Sequence, residues 1–169
     1  RGERAKGLRV VCSASVFVPK PFTPFQWEPQ DTQEMVREKQ SHLREKLRIK
    51  GVTFNYHESD LSYLEACFAR GDRRMGQVLL RAYQKGCMLD GWTELFKYDM
   101  WREAFSELGI DPAFYAYRRR EKDEIMPWDV IDCGVTKEFL WREKEKAEKA
   151  QTTKDCRKGC NGCSLQRFK

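Results

Sequence analysis

Long apolar runs are missing from these 169 residues. No stretch of about 18 apolar residues occurs, which argues against a membrane-spanning helix. No basic segment followed by an apolar one marks the chain for export either. We therefore expect a cytoplasmic protein with no membrane partner. Histidine is scarce, with only His42 and His57. Nucleophile motifs, a phosphate-binding glycine loop and a paired His-Glu zinc helix are absent, as are internal repeats and low-complexity tracts. The chain opens on Arg1-Gly2-Glu3 without a methionine, and its first apolar run begins at Leu8. That start leads us to expect a fragment of something longer, with any catalytic apparatus upstream.

What is present is enough for one core, or one core with an appendage: 40% of residues are hydrophobic and 12% aromatic. Seven cysteines is an odd number, and Cys12, Cys67, Cys87 and Cys133 lie scattered in segments that read as core or its edge. Reduced thiols are expected, not a disulfide framework. The net charge is +6, and residues 137–169 carry ten Lys or Arg against five Asp or Glu. A basic tail of this kind suits contact with RNA, but it also fits an ordinary solvated face, or a tail whose excess charge is offset by metal-bound thiolates.

Residues 8–18 (LRVVCSASVFV) read as a buried strand. Residues 19–29 (PKPFTPFQWEP) hold four prolines and three aromatics, too proline-rich for a helix and too apolar for a linker. Asp31-Thr32 then caps a helix to about Lys50, with Val36, Gln40, Leu43 and Leu47 on one stripe and Gly51 as its stop. Residues 52–57 alternate as a strand, so strand, helix and strand fit a parallel βαβ unit. From Asp60 the pattern is helical. Leu61, Leu64 and Phe68 form one apolar face, and Met75, Val78, Leu79, Ala82 and Tyr83 a second, as in a helical hairpin. Further helices are expected over 99–108, closed by Gly109, and over 136–150, with Glu138/Arg142 and Glu145/Lys149 as i,i+4 pairs.

The fold class expected is therefore α/β, mostly helical. Residues 1–58 form the βαβ part, 59–150 a helical extension and 151–169 a cysteine-rich tail. In that tail Cys156, Cys160 and Cys163 are spaced C-x3-C-x2-C, which suits convergence of three thiolates on zinc or an iron-sulfur cluster. A fourth zinc ligand would have to come from Cys133 or His57. A disordered tail with reactive thiols is the plainer alternative.

Two other places are candidate pocket residues. In the turn Arg70-Gly71-Asp72-Arg73-Arg74, Gly71 suits a left-handed C′ position and Asp72 a helix N-cap. Arg73 and Arg74 then sit where the helix dipole disfavours positive charge. Their compensation is either a bound anion or an internal carboxylate, with Glu65, Asp129 and Asp132 as candidates. In the proline-aromatic loop, Lys20, Thr23 and Gln26 present polar groups beside Phe22, Phe25 and Trp27, either lining a pocket or closing a packed corner. His57, beside Glu58, Ser59 and Asp60, is a ligand, a base or merely a turn residue.

The blocks FVPKPFTPFQWEPQDT (17–32), SYLEACFARGDRRMGQVLLRAYQKGC (62–87), DGWTELF (90–96), MPWDVIDCGVTKEFL (126–140) and the closing DCRKGCNGC resemble the C-terminal half of an uncharacterised radical SAM family. Longer members of that family carry a cobalamin-binding-like region before the radical SAM core. The resemblance implies that the βαβ unit is the closing part of a partial (β/α) barrel. It also implies that S-adenosylmethionine is cleaved reductively to a 5′-deoxyadenosyl radical, at an iron-sulfur cluster held upstream of this chain. The cobalamin question likewise lies upstream. Only six residues follow Cys163, too few to build a barrel, so Cys156, Cys160 and Cys163 would hold an auxiliary iron-sulfur cluster or zinc. Members commonly carry a histidine at the place of Val130, which this chain lacks. The expected partners are the radical SAM core of the same polypeptide and an unknown substrate, with RNA or a ribosomal component as one candidate. The alternative is a non-catalytic, metal-stapled helical module that binds RNA or protein through its basic tail.

Overall fold

The computed structural model describes residues 7–164; the outermost residues of the expected first and last segments, 1–6 and 165–169, lie outside it. The chain is mixed α/β and mostly helical. β1 (Val10–Ala14), α1 (Gln33–Lys46) and β2 (Val52–Tyr56) come first. Then follow α2 (Ser59–Ala69), α3 (Arg74–Gln84), α4 (Tyr98–Glu107), α5 (Pro112–Ala116), α6 (Lys137–Glu148) and a 3-10 turn at Cys156–Lys158. β1 and β2 pair in parallel, Val10 opposite Val52 through Ala14 opposite Tyr56. Among the described residues no helix is long and apolar enough to cross a membrane.

Residues 8–18 were expected to be a buried strand; the strand is only five residues long and half exposed. Leu8 is 67% and Val11 64% accessible. The reason is that, among the described residues, β1 has a single neighbour, so residues beyond Ala14 find no ladder to join and the faces little cover. α1 begins as expected, with the Thr32 hydroxyl accepting from the Met35 amide. It stops at Lys46, before the expected Lys50, and of its apolar stripe only Val36 is buried.

The main core is built by α2, α3, α4 and α5 around Leu64, Cys67, Met75, Val78, Trp101, Phe105 and Tyr115. Met75, Val78 and Ala82 face inward from α3, whereas Leu79 and Tyr83, expected on the same face, are exposed. α5 was not expected, although Asp111 caps it through the Ala113 amide and Pro112 opens it. A second, smaller core joins Trp27, Met126, Trp128 and Leu140, with the Trp27 and Trp141 rings edge to face at 5.0 Å. Of the four scattered cysteines Cys67 and Cys87 are buried and Cys133 is exposed, and all seven thiols are free.

Arg70 joins the two cores. Its side chain is wholly buried, donating to the carbonyls of Ala116 (2.8 Å) and Arg118 (2.6 Å), while Arg120 donates back to the Arg70 carbonyl. The amide of Arg120 donates to the Trp27 carbonyl and that of Gln30 to the Ala116 carbonyl, both at 2.9 Å, so the proline-aromatic loop is hydrogen-bonded to residues 116–120.

Gly71 does not take the left-handed conformation expected of a C′ glycine. Its constraint is space: a Cβ there would lie 2.7 Å from the Cys67 carbonyl oxygen and 2.2 Å from the Met75 side chain. Gly76, in α3, faces open space. Gly71→Ala is therefore expected to cost about 1–3 kcal/mol and Gly76→Ala to add roughly 0.5–1 kcal/mol, with opposite shifts in thermal unfolding midpoint as the check.

Candidate functional site

A cavity of about 400 Å³ opens between the proline-aromatic loop and the segment that follows Trp128. On one side it is lined by Phe22 and Gln26, on the other by residues 129–132, and it is closed by Val135, Lys137 and Leu140. Three local devices hold these walls in place. Phe22 sits at φ 58°, a conformation costly for a bulky side chain. There its amide donates to Gln26 Oε1 at 3.0 Å. The same oxygen accepts from the Trp128 indole at 2.8 Å, so one side-chain carbonyl ties the loop to the Trp128 segment. Asp129 turns back to accept from the Met126 amide (2.8 Å) and from Lys137 Nζ (2.8 Å), and Lys137 also donates to the Glu124 carbonyl.

α6 is fastened to the loop from behind. The Lys144 ammonium, nearly buried, lies 3.2 Å from Glu28 and 2.5 Å from Glu148, and 4.7 Å from the centre of the Trp141 ring. Arg119 grips Glu28 through two nitrogens. Desolvation by itself would lower the Lys144 pKa; the hydrogen bonds that the ammonium donates to the two carboxylates outweigh it and raise the value. Neither of the expected i,i+4 pairs of α6 forms. Arg142 instead donates to the Asn161 carbonyl, and Glu145 accepts from the Trp141 indole.

The residues singled out from sequence separate into different roles. Gln26 lines the cavity. Lys20 forms an ion pair with Glu65, and the Thr23 hydroxyl donates to the Lys20 carbonyl, so neither reaches it. Arg70 is closed off from ligands by its burial. Asp72, Arg73 and Arg74 line a different and more open hollow with Ile125, Met126 and Pro127. The carboxylate that compensates Arg74 is Asp72 itself, at 2.7 Å, because it lies two residues away and already caps the Arg74 amide. Glu65, Asp129 and Asp132 are occupied by Lys20, Lys137 and the Gly134 amide. His57 and His42 are exposed. Val130, where the family resemblance leads one to expect histidine, lies at the cavity mouth and is 91% exposed. Phe22, expected beside the polar groups of the loop, does line the cavity, and Asp129, expected as a partner for Arg73 or Arg74, pairs with Lys137 instead; Lys137 was missed, with a lysine opening a helix as the available signal.

In the tail, Asp155 caps the turn that begins at Cys156 and binds Arg157. Asn161 donates to the Lys154 carbonyl, and the Gly162 amide donates to Cys160 Sγ at 3.4 Å. Among the described residues no three His, Cys, Asp or Glu side chains are gathered into a group that could hold a metal ion. The donor set nevertheless suits a soft metal: three unpaired thiols stand within eight residues, and an amide is already directed at one sulfur.

Comparison with protein-family models, with curated proteins and with solved structures gives no match.

Two outcomes follow from this geometry. The hydrogen bonds from Arg74 hold the Asp72 carboxyl down from 3.8 to about 2. Its contribution to stability is thus present above about pH 4 and lost as pH falls toward 2. The thermal stability difference between wild type and Asp72→Asn, measured from pH 6 downward, should shrink over that window. For the tail, any iron with sulfide, or zinc, that the three thiols hold in anaerobically purified protein should be lost in Cys160→Ala; metal analysis with an absorption spectrum reads this out.

Proposed function

We propose that this chain is the C-terminal portion of a radical SAM iron-sulfur enzyme acting on an unknown substrate, with the cluster that cleaves S-adenosylmethionine held by polypeptide preceding residue 1. The observation that carries the reading is the sheet. Among the described residues the two parallel strands have no third neighbour, and Val10 and Val11, with the flanking Leu8 and Phe17, are exposed. Parallel sheets are ordinarily larger and covered on both faces, because unpaired edges and apolar faces are costly in water. β1, α1 and β2 are then the closing unit of a partial (β/α) barrel, completed by strands outside this chain.

A hollow of about 230 Å³ at the C-terminal end of β1, between Val16 and Phe17 and the α1 residues Val36 and Gln40, supports the same placement. Ligands of open α/β sheets bind at the carboxyl ends of the strands. When bound, the upstream cluster would supply the electron that cleaves S-adenosylmethionine. The residues of this chain serve by shape. The Arg70 junction fixes the proline-aromatic loop, which follows β1 in the chain, against residues 116–120. Cys156, Cys160 and Cys163 would hold an auxiliary iron-sulfur cluster or zinc that staples the tail to α6 through Arg142 and Asn161.

The test is 5′-deoxyadenosine release in the presence of S-adenosylmethionine and a reductant. The isolated chain should release none, and the polypeptide that includes the upstream core should release it. Release by the isolated chain would overturn the upstream placement. Its absence from the longer polypeptide would overturn the radical SAM reading itself.

A further inference from the structure

The Gln26 side chain is 2% exposed, and its oxygen accepts two hydrogen bonds, from the Phe22 amide and the Trp128 indole. Both partners can only donate, so the orientation of the amide is settled: the oxygen faces them and the nitrogen carries two N–H groups the other way. Among the described residues no acceptor is hydrogen-bonded to that nitrogen, and the side chain lines the 400 Å³ cavity. That nitrogen is not sealed in the interior: its N–H groups face the open space of the cavity, where an acceptor on a ligand can reach them. The left-handed backbone at Phe22 directs its amide at the Gln26 oxygen and so holds the side chain in this orientation.

The rest of the cavity defines what would satisfy it. Phe22, Ile131, Val135 and Leu140 make an apolar wall. The space exceeds the roughly 30 Å³ share of one water many times over and falls within the range of small-molecule sites. Its charged groups are Asp129, Asp132 and Lys137. Lys137 is neutralised by Asp129, which leaves Asp132, accepting only from the Gly134 amide through one oxygen. This excess of negative charge disfavours phosphates and carboxylates.

We propose that this cavity is a binding site for an uncharged planar ring compound with a carbonyl or ring-nitrogen acceptor, seated with that acceptor on the Gln26 amide and its ring on the apolar wall. The site goes beyond the radical SAM reading and does not depend on it, because it is complete within residues 22–140 and its readout is binding by this chain alone.

The test follows the Gln26 side-chain amide by ¹H–¹⁵N NMR. Nicotinamide and adenosine are the neutral probes, and nicotinate and adenosine 5′-monophosphate their anionic counterparts. At least one neutral probe should shift that resonance saturably, with its anionic counterpart roughly tenfold weaker, about the worth of one hydrogen bond plus charge repulsion. Gln26→Glu keeps the oxygen that Phe22 and Trp128 bind but replaces the donors with an acceptor, and should weaken binding by about tenfold or more. Should that variant fail to fold, Val130→Trp decides. Its position is exposed at the mouth, so it should block binding with an unchanged melting temperature. The proposal is overturned if neither neutral probe shifts the resonance up to about 10 mM, a limit near −3 kcal/mol. It is equally overturned if the anions bind as well, or if Val130→Trp leaves binding intact.

Discussion

The buried guanidinium of Arg70 is the constraint on which both lobes depend. It lies inside the protein with no carboxylate in contact among the described residues, held by the carbonyls of Ala116 and Arg118. Burial, followed by the charges of Arg120 and Arg118, lowers its pKa to about 10, so it remains charged at neutral pH. A buried cation is tolerable only while its acceptors stay in place. Residues 116–118 are thereby fixed against the end of α2. The carbonyl of Arg70 in turn receives the Arg120 side chain, whose guanidinium stacks 5.1 Å from the Trp128 ring. From one charge the connection runs from the main core through residues 116–120 to the second core.

The second core passes that order on to the cavity. Trp128 is packed beside Trp27 and Leu140, and its indole N–H is committed to Gln26. Gln26 holds the Phe22 amide, and α6 is clamped from the far side by the Glu28, Lys144 and Arg119 network. A network of this kind does more for geometry than for net stability, since the exposed half of Arg119 gains little from its ion pair. Its effect is to keep opposing walls, about a hundred residues apart in sequence, at a fixed separation.

How far the sequence foretold this varies with the range of the forces involved. Local signals served well: the Asp31-Thr32 cap, the Gly109 stop, the alternation of residues 52–57 and the charged segment 136–150 match α1, α4, β2 and α6. Signals that depend on a tertiary partner misled. Residues 8–18 look buried because their composition suits a strand with neighbours on both sides, and among the described residues one neighbour is present. The turn at Gly71 looks like a left-handed cap, whereas the glycine is required by the approach of Cys67 and Met75. Arg70 looks like a ligand for anions, because nothing in a sequence shows that carbonyls 46 and 48 residues away will surround it. Gln26 was legible as a polar group in an apolar loop. Its partner Trp128, 102 residues on, was not.

The unequal reach of these contacts also orders events in time. α2 and α3 are joined by the short turn 70–73, and α4 follows α3 after residues 85–97, so this packing is built from contacts near in sequence and forms fast. The β1–β2 ladder must bring Val10 to Val52 across α1, and it gains little buried surface when it forms. It is accordingly the last element to assemble and the first to open, and its amides are the first to exchange with solvent while the Arg70 junction stays closed.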